Sequence, residues 1–133
     1  MREAIAPWSP PQGNSVELAA TGTSWDAVRA TTRFGQAVID RLGEHCGAVI
    51  VDGFGAVLYW LVKPGSADAW TLPRHTVGIL GSSAYVAVPP VRATSGPGLH
   101  WGVPLEPLRC LTDTELLHSA IEAEIAHANG PRP

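Results

Sequence analysis

Short apolar runs alternate along this chain with two segments of helical period, and together they predict its elements. Residues 24–29 (Ser-Trp-Asp-Ala-Val-Arg) read as a first strand. Trp25, Ala27 and Arg29 share one face and Asp26 and Val28 the other. A helix follows, because Phe34, Val38 and Leu42 repeat every four residues and Ile39 widens the stripe. Thr31 or Thr32 can cap it, and Gly43 suits the left-handed position that ends a helix. Residues 47–52 and 56–62 are apolar runs separated by Gly53-Phe54-Gly55, which predicts a hairpin. Residues 65–83 read mostly as loop, with Trp70 and Leu72 turned inward. Residues 84–88 form a further strand, ended by Pro89-Pro90, and residues 99–103 another after a Ser-Gly-Pro-Gly turn. Leu117, Ile121 and Ile125 mark the last helix, with Thr112 and Glu115 spaced as a capping box.

This order, β-α-β-β-loop-β-β-α, defines an α+β fold: a single, mostly antiparallel sheet packed against two main helices. Residues 24–128 form one domain. Residues 1–23 carry Pro7, Pro10 and Pro11 with little periodicity and read as a surface-draped arm on which Trp8 can act as an anchor. Residues 129–133 are a short tail. With 133 residues, 45% of them apolar, the chain has material for one core. Its 14 glycines and 12 prolines keep the elements short.

Composition narrows the function classes. No apolar stretch approaches a membrane span, and the N-terminus lacks a secretory core, so a cytoplasmic protein is expected. The net charge of −3 resides in residues 106–133, where five acids face two arginines. A dedicated nucleic-acid binder carries a basic stripe. Arg29, Arg33 and Arg41 are interrupted by Asp40 and Glu44, so weak or no nucleic-acid binding is expected.

The residues able to carry chemistry are few. None of the five histidines has a helical i, i+4 partner or lies near a cysteine pair, so the spacing offers no metal site and points to no cofactor. No G-x-S-x-G elbow is present. Cys46 and Cys110 read as small core residues, and whether they pair is left open. Gly53-Phe54-Gly55 joins two strands, so no helix N-terminus stands behind it to hold a phosphate. Asp52 at its edge can bind a ligand or simply order the turn. The tryptophans are core material or stacking faces, and Trp70 is the most open case because it lies in a loop. Asp26, Asp52, Trp70 and His75 are thus the candidate ligand-binding residues, with no catalytic set among them.

The block from Trp25 to Ala126 resembles the N-terminal bifunctional DNA primase/polymerase-like domain of actinobacterial proteins, a branch of the archaeo-eukaryotic primase fold. The resemblance is carried by Trp25-Asp26-Ala27-Val28, the helix from Phe34 to Leu42, Gly47-Ala48-Val49 and Leu58-Tyr59-Trp60-Leu61-Val62 with Pro64-Gly65. Ala84-Tyr85-Val86-Ala87-Val88-Pro89-Pro90, Gly98-Leu99-His100-Trp101 and Val103-Pro104 complete it. It implies a primase- or RRM-like sandwich. Active members hold divalent metal on two acids, D-x-D or D-x-E, on one strand. Asp26 matches the first, but the second position is Val28. The family's histidine position falls near Val57, and its third acid falls in residues 75–80, where there is none. A lone carboxylate cannot hold two magnesium ions beside a triphosphate. The resemblance therefore implies the scaffold without the reaction: a catalytically inactive binding or regulatory module for a nucleotide, a nucleic acid or a protein. Two rival readings are a protein-interaction or homodimerisation module, and a small enzyme with a relocated site around Asp26, Asp52 and His75.

Overall fold

The computed structural model describes residues 9–106 and 110–129. Along the chain run β1 (Glu17–Ala20), β2 (Asp26–Thr31), α1 (Thr32–Leu42), a 3-10 turn (Gly43–His45), β3 (Val49–Asp52) and β4 (Val57–Val62). Then come β5 (Val77–Leu80), β6 (Tyr85–Val88), β7 (Leu99–Val103) and α2 (Thr114–Asn129). The anchoring role of Trp8 and most of the expected tail lie outside the described residues.

Five strands form an antiparallel sheet in the order β5-β2-β4-β3-β7, and β1 and β6 form a second, two-stranded sheet. The fold is α+β with a mostly antiparallel sheet and two helices, as the periodicity predicts, although its seven strands divide between two sheets. The expected hairpin is β3–β4, with Asp52 opposite Val57. Two expectations are corrected. Residues 77–80, read as loop, form edge strand β5. Residues 17–20, read as part of the arm, form β1 on β6. Strand β5 carries Gly78 inside it and β1 is mostly exposed, so neither shows the apolar run that marks a strand before its distant partner is in place.

Both faces of the large sheet are covered. On one face Val28, Ala30, Val49, Leu58, Trp60 and Val62 pack against Val38 and Leu42 of α1 and Leu117 and Ile121 of α2. On the other, Ala27, Ile50, Leu61, Trp25 and Trp101 pack against Val86 and Val88 of β6. This two-sided burial is why β3 and β4 read as continuous apolar runs rather than alternating ones. Helix α1 lies close on the sheet: a Cβ at Gly35 would approach Leu58 Cδ1 to 2.5 Å. Arg41 Nε donates to Glu124 Oε1 at 2.8 Å and ties the two helices together.

The helix ends follow local chemistry. Thr31 Oγ1 accepts from Phe34 N–H at 3.4 Å, and Gly43, at φ +56°, closes α1 with its N–H on Ile39 O. The second cap is a correction. Thr112 is buried, and its hydroxyl accepts from Gly47 N–H at 2.9 Å. Drawn into that long-range bond, it leaves the cap to Asp113, whose Oδ1 accepts from Leu116 N–H at 2.9 Å.

Candidate functional site

At the β5 edge of the large sheet the loop 63–76 folds back on itself before the strand begins. Ser66 N–H donates to Lys63 O, Asp68 N–H to Gly65 O and Trp70 N–H to Ala67 O. Gly65 takes φ +77°, a backbone state that suits glycine. Ser66 Oγ lies 2.6 Å from Thr114 Oγ1, which fastens the loop to the start of α2. Pro73 O then accepts from both Thr76 and Val77 N–H and launches β5.

Between this loop and β5 lies a cleft of about 530 Å³, lined by Arg29, Asp68, Trp70, Leu72, Arg74 and Ile79 among others. Arg29 reaches it across β5. It stands opposite Gly78 in the β2–β5 register, and a Cβ at Gly78 would lie 3.2 Å from Arg29 Nη2 and 3.5 Å from Nε. The missing side chain at Gly78 is what lets the guanidinium lie against the edge strand. Trp70 and Leu72 come from the helix side, where they pack on the cluster that contains Val28 and Val77. Trp70 meets His118 of α2 edge-on, with ring centroids 4.9 Å apart. Among the described residues, neither Arg29 nor Arg74 has an acidic partner within salt-bridge distance. Two guanidiniums, an indole and a carboxylate therefore line one concave surface, a set suited to an anionic group attached to an apolar or planar body.

The four residues singled out in the sequence do not converge. Trp70 lines the cleft. Asp26 is 2% exposed. Its Oδ2 accepts from Gly65 N–H at 2.8 Å, and its buried Oδ1 has no hydrogen-bond partner. It lies by the Gly81 end of the cleft, 3.6 Å from where a Cβ on Gly81 would stand. Asp52 sits at the other end of the sheet, since Asp26 pairs with Val62 of β4 and Asp52 with Val57. Its Oδ1 accepts from Phe54 N–H at 3.1 Å and Gly55 N–H at 3.0 Å, which orders the hairpin turn. His75 is exposed in the turn before β5. Val28, at the second acid position of the resemblance, is fully buried in the helix-side core.

Arg29, Asp68, Arg74 and Gly78 emerge only from the fold. Among them, Gly78 within the run Val77-Gly78-Ile79-Leu80 is the one local signal, because a glycine inside a strand marks close approach. Cys46 and Cys110 are free thiols, and burial pushes the Cys110 thiol up to about 11. No group of three or more histidine, cysteine, aspartate or glutamate side chains is placed to hold a metal among the described residues, and none of their helices is long and apolar enough to cross a membrane. Comparison with protein-family models, with curated proteins and with solved structures finds no match to this chain.

Proposed function

We propose that this chain is a catalytically inactive primase–polymerase-like domain that works as a binding module, with the β5 cleft as its binding surface. The observation that carries the reading is the placement of Arg29 and Arg74, both without acidic partners among the described residues, beside Trp70 in one cleft. Such a surface attracts an anion, orients it by bidentate hydrogen bonds and leaves an aromatic wall for the rest of the ligand. The burial of Val28 and of Asp26 supports the non-catalytic part. Nucleotidyl transfer needs carboxylates facing the triphosphate, and the one carboxylate at the matching strand position is buried, with one oxygen on Gly65 N–H.

Two measurements test this reading. Nucleotide incorporation with magnesium or manganese is expected to stay at background, and incorporation abolished by Asp26→Ala would refute inactivity. Thermal denaturation with ATP, a single-stranded oligonucleotide and an acidic peptide is expected to show stabilisation by at least one of them, lost in the Arg29→Gln/Arg74→Gln variant. Stabilisation by none, or stabilisation indifferent to both arginines, would refute the cleft.

A second reading, contact with another protein through β1 and β6, is favoured by the outer face of that two-stranded sheet. Leu18 and Tyr85 are 72% and 65% exposed there, and the register places Ala87 and Ala20 beside them. Light scattering at rising concentration tests self-association: a dimer lost in Leu18→Glu supports it, and a monomer throughout excludes a homodimer.

A further inference from the structure

The cleft runs along a strand with one side unpaired. Strand β5 is the outermost strand of the large sheet and is bonded only to β2. Thr32 N–H donates to Ala56 O, in step with the β2–β4 register, so the even-numbered residues of β2 turn their backbone groups to β4. The odd-numbered Ala27 and Arg29 turn theirs to β5, where they face Leu80 and Gly78. The N–H and C=O of Ile79 consequently point away from the sheet. Val77 agrees, since its N–H is taken by Pro73 O on the outer side. Among the described residues none takes up the backbone of Ile79, and its side chain is 37% exposed.

Resting on the reading of this cleft as the binding surface, we propose that its occupant is an extended acidic segment of a partner protein, which adds antiparallel to β5 as another strand of the sheet. Three observations fit one register. Ile79 offers a free donor and acceptor. The residue placed opposite it points, like Ile79, to the side where Trp70 and Leu72 stand, so it is apolar. The neighbouring residue of the added strand points to the opposite face, over Gly78, where the Arg29 guanidinium lies, so it is a carboxylate. The antiparallel sense continues that of every other pair in the sheet. Recognition of this kind takes affinity from the main chain and specificity from alternate side chains.

The test uses a short peptide of alternating glutamate and valine, followed through the amide shifts of the full chain. Binding is expected to move Gly78, Ile79 and Leu80. N-methylation of the central valine, which faces its N–H to Ile79, is expected to weaken binding at least about tenfold, whereas N-methylation of a glutamate, whose N–H points outward, leaves it nearly unchanged. A lysine–valine peptide and the Arg29→Gln variant are each expected to lose about tenfold or more. Ile79→Pro removes the outward N–H but no bond to β2, so it is expected to fold and not bind; if it does not fold, the N-methyl pair on the unaltered protein decides. Equal effects of the two N-methyl groups, or no movement at β5, would overturn strand addition. If ATP or the oligonucleotide then still binds in an Arg29-dependent way, the cleft stands without the peptide; if no probe binds, both readings fall.

Discussion

Two aspartates at opposite ends of the same sheet show how differently this fold treats its polar groups. Asp52 is held by residues two and three positions ahead, with both bonds made inside its own turn. Asp26 is held by Gly65, 39 residues away, and keeps one buried oxygen without a partner. The first arrangement satisfies two exposed turn N–H groups through Oδ1 alone, within the turn itself. The second belongs to an end of the sheet where a loop, an edge strand and a helix meet and where Arg29 and Arg74 stand without acidic partners among the described residues. A concave surface lined by guanidiniums and an aromatic ring is a mark of a binding site, and it lies at the β5 edge, away from the hairpin.

Substitutions can break this contrast, and the largest effect is expected at the hairpin. A Cβ at Gly53 would sit on the Pro97 carbonyl oxygen, a backbone atom that cannot step aside. Gly53→Ala is therefore expected to cost about 3 kcal/mol in chemical denaturation, from overpacking against main chain. Asp26→Ala comes next, at about 2 kcal/mol, because it leaves the Gly65 N–H without its acceptor, while Asp26→Asn keeps an acceptor and stays within about 1 kcal/mol of the parent. Asp52→Ala is expected to cost about 1 kcal/mol or less, since water can reach the exposed turn N–H groups. Equal losses for Asp26→Ala and Asp52→Ala would erase the distinction between the two ends.

A smaller effect depends on pH and arises at Cys110, whose carbonyl accepts from Ala48 N–H beside β3. Burial raises its thiol from 9.0 to about 11. Between those values the unfolded chain releases a proton that the folded chain keeps, so stability falls as pH rises through that window. Cys110→Ala is expected to flatten this part of the pH profile. An unchanged slope would show that the thiol is not desolvated.

What could be read in the sequence was what the chain decides locally. The four-residue spacing of α1, the Gly-Phe-Gly turn of β3–β4 and the strand after the Ser-Gly-Pro-Gly turn all follow from neighbours in the chain. The second helix shows where that stops: Thr112 has the right spacing for a cap, but a distant N–H claims its hydroxyl. The cleft lies beyond local reading for the same reason. Arg29 becomes a site residue only because β5 sets Gly78 opposite it, and Arg74 only because Pro73 turns the loop into that strand. Trp70 was visible as an aromatic in a loop, whereas nothing local marked Asp68. His75 and Asp52 were visible for their chemistry, yet the fold leaves one exposed in a turn and uses the other to order one.

Mapping amide shifts over the whole chain, with ATP, a single-stranded oligonucleotide and the acidic peptide added in turn, most directly tests which end binds. The responding residues are expected to cluster at Arg29 and residues 68–81, and Arg29→Gln is expected to silence them. A response centred on residues 52–55, or one that survives loss of Arg29, would contradict it.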